Sequence, residues 1–175
     1  MTIRTILTFP DAGLRSMASP VQEFSSDLRV LAQDLLETLR AAPGIGITAP
    51  HVGIMTRLVV IELDRRVGPR FYVNPQIEWV SPTLMRHEEG SVSMPGVSDT
   101  IERPAAVRVR YQDLSGAERT EEASGLLAIC LQHEIDQLDG IFWVHRLSKL
   151  KRDRIIKRFS KLQSSAKEPD VIRRQ

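Results

Sequence analysis

Residues 126–138 constrain the fold of this chain more than any other stretch. Leu126, Leu127, Ala128, Ile129, Cys130, Leu131 and Ile135 cover nearly every side of a helix that Gly140 closes. A helix apolar all round belongs inside a protein. The same segment carries His133 and Glu134, with Gln137 one turn after His133. Residues four apart share a helix face, and in the pattern H-E-x-x-H two histidines so placed grip one metal while the glutamate handles protons. Here glutamine stands in for the second histidine. One imidazole and one carboxylate are therefore carried into the interior, where an unpaired charge costs several kcal/mol, so partners must come from elsewhere.

The remaining pattern predicts an α+β chain. An irregular arm spans 6–21, where Pro10, Gly13 and Pro20 break regular structure. Ser25 or Ser26 caps a helix whose Leu28, Leu31, Leu35, Leu36 and Leu39 recur at helical spacing, and Pro43 and Gly44 end it. Between 57 and 122 come short β runs at 58–63, 70–73, 77–80, 105–111 and 118–122. Gly68-Pro69, Asn74-Pro75 and Ser115-Gly116 punctuate them, which favours antiparallel meanders over βαβ units. A last helix is expected over 148–162, in a single domain of residues 1–163 followed by a disordered tail at 164–175.

Length and composition fit one soluble globular domain able to bury its own core. A single cysteine, Cys130, excludes an internal disulfide framework and suits a reducing cytoplasm. No signal-peptide pattern opens the chain, and no apolar run approaches the roughly 20 residues that span a bilayer. The net charge is +2, but eight Lys or Arg residues and one acid, Asp153, crowd into 146–161. Such a block either meets an anionic partner or forms the solvated face of an amphipathic helix whose Leu147, Leu150, Ile155, Ile156, Phe159 and Leu162 pack inward.

Two further segments have the chemistry of a site. Gly44-Ile45-Gly46-Ile47-Thr48-Ala49-Pro50-His51 is a glycine-spaced loop whose backbone can approach a ligand closely, and Glu89-Gly90-Ser91-Val92-Ser93-Met94-Pro95 is a short extended stretch between turn residues. With Gln132-His133-Glu134, and in this order, they resemble the peptide deformylase family, whose motifs are G-x-G-x-A-A-P/T-Q, E-G-C-L-S and Q-H-E-x-D-H-x-x-G. The resemblance covers 6–159.

It implies a peptide deformylase-like fold, antiparallel sheets around a buried central helix with a further helix at the C-terminus. It also implies removal of the formyl group from the N-terminal methionine of nascent polypeptides with one Fe(II) or Zn(II). The family's three metal ligands fall at Ser91, His133 and Gln137. A neutral hydroxyl and an amide oxygen are poor substitutes for thiolate and imidazole, so no tightly bound metal is expected. The family's acid/base maps to Glu134, and its oxyanion donors map to His51 and the backbone of Val92. Gly44, Ile45, Gly46, His87, Leu126, Ile129 and Cys130 would line the substrate pocket, with His87 where the family commonly has an apolar residue and Ser98 where a basic one often sits.

Three readings follow. The first is a deformylase-like protein with weak or absent standard activity, its His133 and Glu134 kept as a core pair bonded to Ser91, Gln137 or water. The second is a metal-free module that grips N-terminal peptides, or the ribosome through the basic C-terminal helix. The third is an amidohydrolase with a displaced metal held by His51, His133 and Glu134. Membrane association and specific DNA binding are not expected.

Overall fold

The computed structural model describes residues 2–167. Its elements are α1 (Ser26–Ala41), β1 (Gly46–Thr48), β2 (Leu58–Ile61), β3 (Arg70–Val80), β4 (Leu84–Ser91), β5 (Met94–Pro104), β6 (Ala106–Gln112), β7 (Glu118–Ser124), α2 (Gly125–Leu138) and α3 (Lys149–Lys167). Five strands form an antiparallel sheet in the order β1-β2-β3-β6-β7, and β4 and β5 form a separate two-stranded sheet.

β2 explains how the layers stack. All four of its residues, Leu58, Val59, Val60 and Ile61, are buried. Side chains alternate along a strand, so an unbroken apolar run needs cover on both faces. Val59 and Ile61 pack with Ala128, Leu131, Ile135 and Leu138 of α2. Leu58 and Val60 pack on the opposite side with Leu28, Leu35 and Leu39 of α1. The apolar helix thus lies inside, as its sequence requires.

A third cluster joins β5 to α3 through Met94, Val97, Ile101, Phe142, Trp143, Ile155 and Phe159. Leu147 is buried and Ile156 packs against this cluster, but Leu150 and Leu162 stay exposed, so the apolar stripe of α3 is narrower than its sequence suggests. α3 also continues past the expected end at Leu162 to Lys167. Of the tail expected at 164–175, residues 168–175 lie outside the described residues.

Two expectations are corrected. Asn74-Pro75 is not a turn between strands: β3 runs through it, with Asn74 at φ 52° and the pairing to β6 shifted between Val73 and Gln76. Asn tolerates the left-handed region, and its side chain holds the bulge by accepting from Val21 N–H at 2.7 Å and donating to Val21 O and Gln112 Oε1. The long β4–β5 hairpin also has no counterpart among the predicted runs. Within it, Val92 and Ser93 form the turn between the paired Ser91 and Met94.

The N-terminal arm stays irregular and is tied down by backbone bonds. Leu7 N–H donates to His51 O, Phe9 N–H to Ser93 O, and Ala18 N–H to Leu138 O. It thereby links β1's loop, the β4–β5 turn and α2.

Candidate functional site

A cleft of about 500 Å³ opens between α2, β4, the β4–β5 turn and the loop into β1. Its lining includes Gly44, Ile45, Gly46, His51, His87, Ser91, Val92, Leu126, Ile129, Cys130, His133 and Glu134, so twelve residues singled out in the sequence line one cleft. Gln137 and Ser98 are not among its lining residues.

Gln137 is 2% exposed, and its Nε2 donates to the carbonyl oxygen of Leu14 at 2.8 Å. Ser98 donates its hydroxyl to the carboxylate of Glu88. At Ser91, Oγ accepts from Ser93 N–H at 3.1 Å and stands 3.5 Å from His51 Nε2.

Thr48 fixes the state of His51. Its backbone N–H donates to His51 Nδ1 at 3.0 Å, so the ring proton sits on Nε2, on the Ser91 side. Burial pushes the imidazole down to about 3, with the nearby His133 adding to the effect, so it is neutral at physiological pH. His51 therefore offers one N–H to this corner of the cleft.

His133 does not bond to Ser91, Gln137 or another family ligand position. Its Nδ1–H donates to Glu89 Oε2 at 2.8 Å. Glu89 also takes two bonds from Arg103, at 2.5 and 2.9 Å, and Arg103 reaches Asp136 at 2.8 Å. Arg146 closes the chain on Asp136. Burial alone would raise the Glu89 carboxyl, but the bonds from His133 and Arg103 outweigh it and bring it down to about 2. For His133, burial works downward, and the bond to Glu89 with the neighbouring acids lifts it above its ordinary value.

Arg103, Asp136 and Arg146 were missed in the sequence. The available signal was a demand: an apolar helix that also buries Gln132, Glu134, Asp136 and Gln137 has to find them partners.

Glu134 is 4% exposed and its Oε2 has no hydrogen-bond partner. Burial pushes its carboxyl up to about 7, against the opposing pull of His133. Gly46 makes room for it, since a β-carbon there would fall 3.0 Å from the Glu134 carboxyl carbon. At Gly46 the close approach is to a side chain of the protein itself.

Cys130 is buried and its thiol is pushed up to about 12, mainly by desolvation. Although His51, His133 and Glu134 line one cleft, among the described residues no three His, Cys, Asp or Glu side chains are grouped so as to hold a metal ion. His51 turns one nitrogen to Thr48 and His133 turns one to Glu89, which leaves each ring a single further nitrogen.

The family model described as polypeptide deformylase matches residues 3–153. A protein of Brucella melitensis called peptide deformylase-like is 64% identical over 163 residues, covering 93% of this chain and 99% of its own length. A peptide deformylase of Afipia carboxidovorans is 45% identical, covering 92% of this chain and 96% of its own. Among solved structures, a peptide deformylase from Legionella pneumophila superposes with a TM-score of 0.88 at 38% identity, covering 96% of this chain and all of the other.

Proposed function

Because the chain belongs to the polypeptide deformylase family, whose members act on the N-termini of nascent chains, we propose that it keeps the family's peptide cleft while its standard deformylase activity is weak or absent. The observation that carries this reading is the Gln137 amide, turned onto the Leu14 carbonyl and away from the cleft lining. With Ser91 as a hydroxyl that already accepts from Ser93 N–H, His133 is left as the one good nitrogen donor of the three family positions. The donors do not fit a tightly held Fe(II) or Zn(II), whose sites are built from thiolate, imidazole and carboxylate. Structural zinc sites bind with roughly 10–16 kcal/mol in total, and losing two good ligands removes a large part of that.

What remains is a binding site with one proton-exchanging group. Glu134 is available to accept or donate a proton near neutral pH, but unaided water has a pKa of about 15.7, far beyond its reach. Gripping N-terminal peptides is supported by the apolar walls Ile45, Leu126 and Ile129. Docking on the ribosome is supported by Arg154, Lys157, Arg158 and Lys161, all exposed on α3. Among the described residues no helix is long and apolar enough to cross a membrane.

The test pairs elemental analysis of the purified protein with a formyl-methionyl peptide assay in added Fe(II), Ni(II) or Zn(II). Metal well below one equivalent and little turnover are expected. Robust turnover that vanishes in Glu134→Ala, or a full equivalent of metal without supplementation, overturns the proposal.

A further inference from the structure

β4 buries alternate residues, so Met85, His87, Glu89 and Ser91 share the face turned inward. Glu89 anchors that face to α2 through His133. His87 lies two residues earlier, roughly 7 Å along the strand, and lines the same cleft as Ile45, Leu126, Ile129 and Cys130. Its imidazole is incompletely satisfied: Nδ1 is sealed from solvent with no partner, while Nε2 is not so sealed.

A neutral imidazole carries its proton on one nitrogen only. With the proton on Nε2 the sealed Nδ1 keeps only an unused lone pair, whereas a proton on Nδ1 would be a buried donor with no acceptor, so the arrangement that fits is Nε2–H. We propose that His87 sets the selectivity of the cleft, its Nε2–H donating to an acceptor oxygen at the end of the ligand's first side chain. The preferred ligand is then a peptide that begins with a neutral, glutamine-like residue. Ile45, Leu126 and Ile129 cover its methylene stem, and the imidazole takes its carboxamide oxygen. A carboxylate at the same place is disfavoured because the exposed Glu88 also lines the cleft, whereas the charge of Glu89 is already offset by Arg103 and His133. This inference rests on the peptide-binding reading above.

The experiment titrates the full-length protein and His87→Leu with formyl-Gln-Ala-Ala, formyl-norleucyl-Ala-Ala and formyl-Glu-Ala-Ala by calorimetry. The wild type is expected to bind the glutamine peptide about tenfold more tightly than the norleucine peptide, and His87→Leu to reverse that order. His87→Gln, which keeps an N–H at the site, is expected to retain part of the preference. Thermal melts establish that both variants fold. Equal preferences in wild type and His87→Leu, or a wild type that favours norleucine, overturn the role of His87 alone. A wild type that binds none of the three overturns both this inference and the peptide-binding reading beneath it.

Discussion

Gln137 Nε2 donates to the carbonyl oxygen of Leu14 across 2.8 Å, joining the innermost helix to an arm 123 residues earlier in the chain. The bond is buried, so removing the amide strands a carbonyl away from water. Gln137→Ala is expected to destabilise the fold by about 1–3 kcal/mol, the desolvation cost of an unmet polar group. Urea unfolding measures it. A variant as stable as the wild type would show that water or a shifted arm satisfies Leu14 instead.

Arg103 supports a larger effect. It is 5% exposed and pairs with two carboxylates, Glu89 and Asp136, that are themselves mostly out of water. Arg103→Ala leaves both acids short of their counter-charge, and about 3–5 kcal/mol of destabilisation is expected. Arg108, half-exposed and paired with the open Glu122, is the control: its alanine variant should lose less than about 1 kcal/mol. Similar losses for the two would mean that the buried network is not a unit.

These residues show where legibility ended. The interior position of α2 could be read because its apolar residues leave no solvent face, and the cleft-lining residues because three short motifs stand in a recognisable order. Arg103 could not be found, since an arginine on a strand is ordinarily solvated and nothing local marks it as the partner of acids 14 and 33 residues away. The hairpin β4–β5 was hidden for a related reason. Its inward row holds His87 and Glu89 where an amphipathic strand would show aliphatics, so alternation of hydrophobicity gave no signal. Asn74-Pro75 has the composition of a turn, and only the capture of its side chain by Val21 and Gln112 makes it a bulge.

Glu134 should tie stability to pH. Its folded carboxyl sits at about 7 against an ordinary value of 4.5. Between these values the unfolded chain gives up the proton and the folded one keeps it, so stability falls as pH rises from 4.5 to about 7 and stays flat above. Glu134→Gln removes this loss. Relative to wild type it should gain little at pH 4.5 and of order 3 kcal/mol at pH 8. Taking the difference cancels the opposing slope of His51, whose folded value of about 3 withdraws stability as pH falls below 6.5. A gap that is the same at both pH values would place the Glu134 carboxylate in contact with solvent.

Cys130 lies in the cleft wall yet is expected to be inert. With its thiol at about 12, against 9.0 for a free one, the thiolate fraction at pH 8 falls about a thousandfold. Alkylation by iodoacetamide should slow by a similar factor in the folded protein and recover in urea. Rapid labelling of the native state would mean that the cleft opens wider than its resting shape.

Ser91 and Gln137 offer the sharpest test of how far the cleft has moved from its family. Ser91→Cys supplies a sulfur whose proton an ion can displace, and Gln137→His supplies an imidazole but must release the Leu14 carbonyl to use it. His133 is already prepared, because Glu89 takes its Nδ1–H and leaves the other ring nitrogen free, the arrangement that orients liganding histidines generally. The double variant is therefore expected to purify with close to one equivalent of Zn(II) or Fe(II), and each single variant with far less, since a shared ion depends on all its ligands at once. Elemental analysis reads the outcome without reference to activity. A double variant that melts cooperatively yet stays metal-free would locate the obstacle in the Leu14–Gln137 tie and the surrounding packing rather than in the two side chains.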